Sequence, residues 1–504
     1  MTRHRGDRFG TAPEIVRWRR LPFADLAGDK SARACLPPAY DIHTSRLRGG
    51  GIRDSLRENG GRDGLGQVRG PASGKRGADL LERLVAQGTG GVRVRRLGGD
   101  RAGEIRFTRF LRNPSVTIGE MVATAFGRTQ AACAGRDILA VQDTTATRGS
   151  AGGQGSFLHA MIAVDATSGA VLGALDAQFL ERTEGGRASR LQRAFEGRQS
   201  IRWLEAARRA GDLRGAARVT VVADREADMV ELFAHRPAHV DLVVRALHDR
   251  ALAGGGRLAA TIAAGPRLGR AALDLPARPG VPTRTARLSI RFGRIALRPP
   301  AERRASCPAP VSMTCVDLCE EAPPEGATPV HWRLLTTREV ASVADALDVA
   351  ARYAKRWKIE EIFRTMKRRG FDIESLRIAD EAPRNRLVLA CLIAATVVLQ
   401  MTAERDGAVE GRALRPLTDA FDPEDQPFLE VVSQNLEGRT ERQKNPYPKG
   451  SLAFATWVCA RLGGWTGYYG KPGPIVILRG WTEFQSLKHG ATLAFRSAKG
   501  LADV

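Results

Sequence analysis

Cysteine is scarce and scattered: Cys35, Cys133, Cys307, Cys315, Cys319, Cys391 and Cys459 are seven in 504 residues. An odd number without paired spacing excludes a disulfide framework and reads as the reduced thiols of a cytoplasmic protein. Cys315 and Cys319 lack both a CxxC spacing and a matching second pair, so no zinc knuckle is expected. Long apolar runs are missing too. The longest, Leu387 to Leu399, would span about 20 Å as a helix against the roughly 30 Å of a bilayer core, and reads as a buried helix without a membrane partner. No apolar segment follows the basic start MTRHRGDRFG, as a secretory signal would require. No internal repeat is found. Acidic residues are the minority charge, 55 Asp and Glu against 78 Lys and Arg.

The resulting net charge of +23 favours a polyanionic partner, because each phosphate neutralised by a cation releases condensed counterions. A coding sequence rich in G and C would also raise the arginine content, but an excess spread along the chain points first to nucleic acid. Hydrophobic residues at 43% and charged residues at 26% are globular proportions. The length allows roughly three folded units.

Residues 1–75 are rich in Gly, Arg and Pro with weak periodicity and read as a poorly ordered basic arm. Helical spacing begins in ADLLERLVAQ and resumes after the Asn113-Pro114 break, giving a helical domain over 76–135. DILAVQDTT predicts a short strand ending at Asp143. Two strands then flank a turn at Thr167-Ser168-Gly169, a helix covers Leu191 to Ala210, and VTVVAD ends a further strand at Asp224. This order predicts an α/β layer around a mixed sheet over 136–249. From 250 to 338 the pattern turns to strands alone, with Ala286, Leu288, Ile290 and Phe292 alternating up to Gly293, where a hairpin is expected to turn. Ser342 and Asp345 form a capping-box variant opening one long helix that Gly370 closes. The residues from 386 to 504 read as mostly helical.

On that helix Tyr353, Arg356, Glu360 and Lys367 stand at offsets of 0, 3, 7 and 14. At about 100° per residue they share one stripe about 21 Å long. A solvated helix face would also be polar. What sets this one apart is that two aspartates at predicted strand ends precede it. Asp143 or Asp224 alone suits a turn or a helix cap equally well. With Glu360 they make three hard oxygen ligands of the kind Mg²⁺ or Mn²⁺ prefers.

These residues resemble the DDE transposases of the insertion sequence four (IS-four) family, whose Y-(2)-R-(3)-E-(6)-K signature Tyr353, Arg356, Glu360 and Lys367 reproduce. VQDTT, VVADREAD, LVVRA and RWKIEEIF match as well, and the likeness extends from about residue 76 to 490. It implies a ribonuclease-H-like α/β core (136–249 and 339–385) interrupted by a β-rich insertion (250–338). A helical N-terminal DNA-binding domain (76–135) and a helical C-terminal dimerisation domain (386–504) would flank it. The implied activity is cut-and-paste DNA transposition by a homodimer acting on element ends and target DNA.

Asp143, Asp224 and Glu360 would hold two Mg²⁺ or Mn²⁺ ions for in-line phosphoryl transfer. Tyr353, Arg356, Lys367 and Arg245 would contact DNA. Trp332 would stack on a flipped base, a role that competes with that of a core aromatic. Two departures stand out: Leu247 occupies a position often held by lysine, and the first 75 residues lack the family's N-terminal pattern. A non-cleaving remnant or inhibitor and a ribonuclease-H-like nuclease are the alternative functions.

Overall fold

The computed structural model describes residues 16–18 and, between 76 and 502, all but 78, 82, 85–90, 148–155, 182–199, 276–282, 368–369, 406, 408–413 and 469. In chain order the elements are β1 (Val16–Trp18), α1 (Val94–Gly98), α2 (Arg101–Arg112), α3 (Ile118–Cys133), β2 (Asp137–Thr147), β3 (Ser156–Asp165), β4 (Val171–Glu181), α4 (Ile201–Gly211), β5 (Arg218–Ala223), α5 (Val230–His235) and β6 (Val240–Arg245). Then come α6 (Leu258–Ala264), β7 (Gly269–Leu275), β8 (Arg284–Leu297), β9 (Val311–Glu320), β10 (His331–Thr336), α7 (Val343–Ala354), α8 (Trp357–Met366), α9 (Glu381–Glu404), α10 (Gln426–Leu436), α11 (Leu452–Leu462) and α12 (Pro474–Ala502). The fold is mixed α/β. Two compact units divide the chain: one takes Val221–Ala354 with the strand at 16–18, the other takes the described residues up to Thr220 and from Lys355 onward.

In the first unit the strands run β1-β7-β8-β9-β10-β6. All these pairings are antiparallel except β1 with β7, which is parallel with Val16 opposite Ala271. Three residues of the segment read as a poorly ordered arm therefore join a sheet; the rest of 1–75 lies outside the described residues. Gly293 does not turn the chain. It pairs with Cys315 inside one uninterrupted 14-residue strand, its φ is not positive, and a Cβ there would meet nothing within 4 Å. The alternation instead changes face along β8: Ala286, Leu288 and Ile290 are buried, then Ile295 and Leu297. Strands are also not alone here, since α6 intervenes.

The second unit holds the antiparallel meander β2-β3-β4, and the turn from β3 to β4 follows the sequence closely. Asp165 accepts the N–H groups of Thr167 and Ser168 at 2.9 and 2.8 Å, and Gly169 takes a φ of 72° that L side chains rarely adopt. Leu80 and Leu84, four residues apart, are both buried, while 85–90 lie outside the described residues. The Asn113-Pro114 break separates α2 from α3, and Thr117 with Glu120 forms the capping box that opens α3. Helix α4 starts only at Ile201, with 191–199 outside the described residues.

Helix α9 runs 24 residues, well past the apolar run Leu387 to Leu399, and is long and apolar enough to cross a membrane by length and composition. Burial assigns it to the core instead: 89% of its most apolar window is inside the structure, packed against α2, α3, β4, α8, α11 and α12. Two of its buried polar side chains find partners across those contacts. Arg386 donates to the Leu111 carbonyl and Gln400 to the Leu172 carbonyl at 2.9 Å. Cys133, Cys307, Cys315, Cys391 and Cys459 are buried free thiols.

Candidate active site

Asp143 is not at a strand end. Strand β2 continues four residues beyond it to Thr147, because β3 supplies hydrogen-bond partners along the whole length, with Asp143 opposite Ala160 and Thr147 opposite Ser156. Successive side chains on a strand point to opposite faces, so Asp143 faces away from its neighbours Gln142 and Thr144.

Those neighbours belong to a closed network. Gln142 Nε2 donates to the Trp203 carbonyl at 3.3 Å, and its Oε1, which can only accept, lies 3.1 Å from His159 Nε2. The proton of His159 is therefore on Nε2, and Nδ1 accepts from the Thr144 hydroxyl at 2.9 Å. Arg202 Nε in turn donates to Thr144 Oγ1 at 3.3 Å. Trp203 meets the imidazole edge-on at 4.6 Å. Burial, assisted by the nearby Arg202 charge, holds His159 well below the usual histidine value and so keeps it neutral.

On the other face, Asp143 accepts from the Thr144 N–H at 2.7 Å and from Arg356 Nη1 at 2.9 Å. The second arm of the same guanidinium, Nη2, donates to Glu360 Oε1 at 2.5 Å. Two carboxylates distant in sequence thus meet at one cation. The side chains of Asp143, Arg356 and Glu360 are 16%, 10% and 29% exposed, so water screens these charges only partly.

The helix bearing Glu360 departs from the sequence expectation. Instead of one helix from Ser342 to Arg369, α7 ends at Ala354 and α8 starts at Trp357. The tight bonds from Lys358 N–H to Lys355 O and from Ile359 N–H to Arg356 O replace helical continuation there. Arg356 becomes the residue before α8, four positions from Glu360, where its arms reach both carboxylates. Ser342 and Asp345 do form the predicted capping pair, at 2.8 and 3.2 Å. Lys367 caps the end of α8, and the chain folds back there, with the Gly370 and Asp372 N–H groups on the Lys367 carbonyl. Gly370 closes this turn because any Cβ would run into the Thr365 carbonyl.

The remaining candidates lie in the first unit. Asp224 follows β5 and caps a one-turn helix at Arg225–Ala227, accepting the Glu226 N–H at 2.9 Å, so strand end and cap coincide. Arg245, at the end of β6, donates to the His331 carbonyl at 2.9 Å. Trp332 and Tyr353 are both buried and pack edge to face at 5.4 Å.

The donor set suits a hard divalent cation: Asp143 and Glu360 are carboxylates already brought to one positive charge. Among the described residues no three His, Cys, Asp or Glu side chains form a group that could hold a metal ion. Sequence reasoning did not find the His159 network. Its signal is a lone histidine inside the apolar run FLHAMIAV, which only a buried partner accommodates.

Residues 135–397, just over half of the chain, match the transposase DDE domain family, and the chain belongs to that family. Transposases of this family use divalent metal ions and act on DNA.

Proposed function

We propose that this protein is a DNA transposase of the insertion sequence four family, cutting and rejoining DNA at element ends through Asp143, Asp224 and Glu360. The convergence of Asp143 and Glu360 on Arg356, in a chain of the DDE transposase family, carries the reading. Asp143, Asp224 and Glu360 would hold two Mg²⁺ or Mn²⁺ ions. Bound there, the ions supply charge neutralisation and an activated water or 3′-hydroxyl for in-line phosphoryl transfer. Arg356 keeps two carboxylates at one place that would otherwise repel each other. Arg245 and Lys367 are part-exposed cations suited to phosphate contact. Trp332 and Tyr353 reach DNA only by leaving their mutual packing. In this reading the core is ribonuclease-H-like, interrupted by the β-rich insertion, and the protein acts in the cytoplasm as a homodimer on element ends and target DNA.

The test is incubation of the purified protein with DNA carrying the element's own ends, with Mg²⁺ or with chelator. Metal-dependent cleavage and strand transfer are expected. Glu360→Ala should lower cleavage by about 10³-fold or more while end binding persists, since a metal ligand contributes several kcal/mol to the transition state. End binding without cleavage by the unaltered chain would leave a non-cleaving remnant; cleavage without ordered strand transfer would leave a nuclease.

A further inference from the structure

Asp228, four residues after Asp224, has no part in the constellation above, yet its side chain is completely buried. One carboxylate oxygen accepts the N–H groups of Leu247 and His248 at 2.7 and 2.8 Å, and the other accepts Arg250 Nε at 2.7 Å. A second nitrogen of Arg250 donates to the Asp228 carbonyl, and the Asp228 N–H closes the turn on the Arg225 carbonyl at 3.2 Å. Arg250 is itself nearly buried, over the Phe233 ring. Both carboxylate oxygens and the carbonyl of Asp228 are thus turned toward the segment leaving β6, while its N–H holds the turn. That segment is pinned residue by residue, beginning with the Ala246 N–H on the Arg333 carbonyl at 2.8 Å.

The short turn Arg225–Ala227 therefore has two acidic ends with opposite surroundings. Asp224 opens it and is partly exposed; Asp228 follows it, buried and saturated. A one-turn helix is too short to hold its own shape. We infer that Asp228 is the positioning residue for Asp224: its clasp on Leu247, His248 and Arg250 fixes the turn that presents the Asp224 carboxylate. This rests on the role proposed for Asp224 as a metal ligand. The same clasp holds out Leu247, which is 54% exposed although apolar.

Asp228→Asn and Asp228→Ala test this in the full chain. Asparagine keeps the shape but presents only one accepting oxygen, so it cannot serve both the two N–H groups and Arg250. Hydrogen exchange resolved to peptides should show faster exchange at 224–228 and 246–250 in both variants, with α9 unchanged; unaltered exchange there overturns the clasp. Mn²⁺ affinity, measured by calorimetry, should fall about 10-fold in Asp228→Asn, the scale seen when a residue orienting a metal ligand is lost. The Mn²⁺ needed for half-maximal cleavage should rise in parallel. Faster exchange with unchanged Mn²⁺ affinity overturns the positioning role. Asp224→Ala is the control: if it leaves Mn²⁺ binding and cleavage intact, the role of Asp224 fails, while the exchange result still reports on the clasp.

Discussion

The two faces of β2 carry opposite kinds of polar chemistry one residue apart. On one, Gln142, Thr144 and His159 form a neutral chain in which each donor has its acceptor, ending at Arg202. On the other, Asp143 and Glu360 share the charge of Arg356. A neutral, saturated network in a dry interior fixes the backbone and has little to exchange. Part-exposed carboxylates gathered on one buried guanidinium can trade that cation for another. The strand alternates between what must stay and what can change, and substitutions on the two faces should separate stability from activity.

Replacing Asp143 by Asn gives the largest effect. Cleavage should fall on the order of 10³-fold, as for Glu360→Ala. Stability should change by only about 1 kcal/mol, because Arg356 keeps Glu360 and the new amide still offers an oxygen to the Thr144 N–H. Steady-state cleavage assays and urea unfolding followed by hydrogen exchange at β2 check the two halves. Equal loss of both would erase the distinction between the faces.

His159→Leu should reverse the pattern. It strands the buried Gln142 oxygen and takes the acceptor from the half-buried Thr144 hydroxyl, at a cost of about 2–4 kcal/mol. Residual activity per folded molecule should fall less than 10-fold. The pH dependence carries the same signature. The folded-state value of His159 lies below its ordinary 6.5, so the unfolded chain binds the proton more readily. Stability from this group is full above about pH 6.5 and declines as pH falls below it, by up to about 1.4 kcal/mol per unit. Asp165 acts in another window. Burial works to raise its carboxyl, but hydrogen bonds from Ser168 and Arg136 outweigh burial and hold it below 3.8, so its contribution is lost only in stronger acid. Between pH 7.5 and 5 the unaltered protein should lose stability that His159→Leu does not.

Much of this organisation was legible in local sequence. The Thr167-Ser168-Gly169 turn, the Asn113-Pro114 break and the Ser342–Asp345 cap each depend on residues within a few positions of one another, and all appear as read. What local patterns missed depends on distant partners. Asp143 looked like a strand end because apolar periodicity stops there, yet β3 extends the pairing to Thr147. Gly293 looked like a turn, but β9 pairs across it. The break between α7 and α8 has no Gly or Pro to announce it; Arg356 bonds to Asp143, 213 positions away. The buried state of α9 was legible from the shortness of its apolar run, although the helix is longer than that run and is buried by β4 and by helices before and after it.

Arg202 is the weakest link of the neutral face, and its removal gives the smallest effect. Arg202→Ala removes one 3.3 Å hydrogen bond to Thr144 and the stacking of a guanidinium over Trp203 at 5.4 Å. At pH 7.5 the loss should be about 0.5–1 kcal/mol. Arg202 also helps keep the imidazole uncharged, so without it the folded-state value of His159 should rise toward 6.5. The variant should therefore lose less stability than the unaltered protein as pH falls from 7.5 to 5, and the two unfolding curves should converge. Parallel curves over that range would mean that Arg202 serves the network through its hydrogen bond alone.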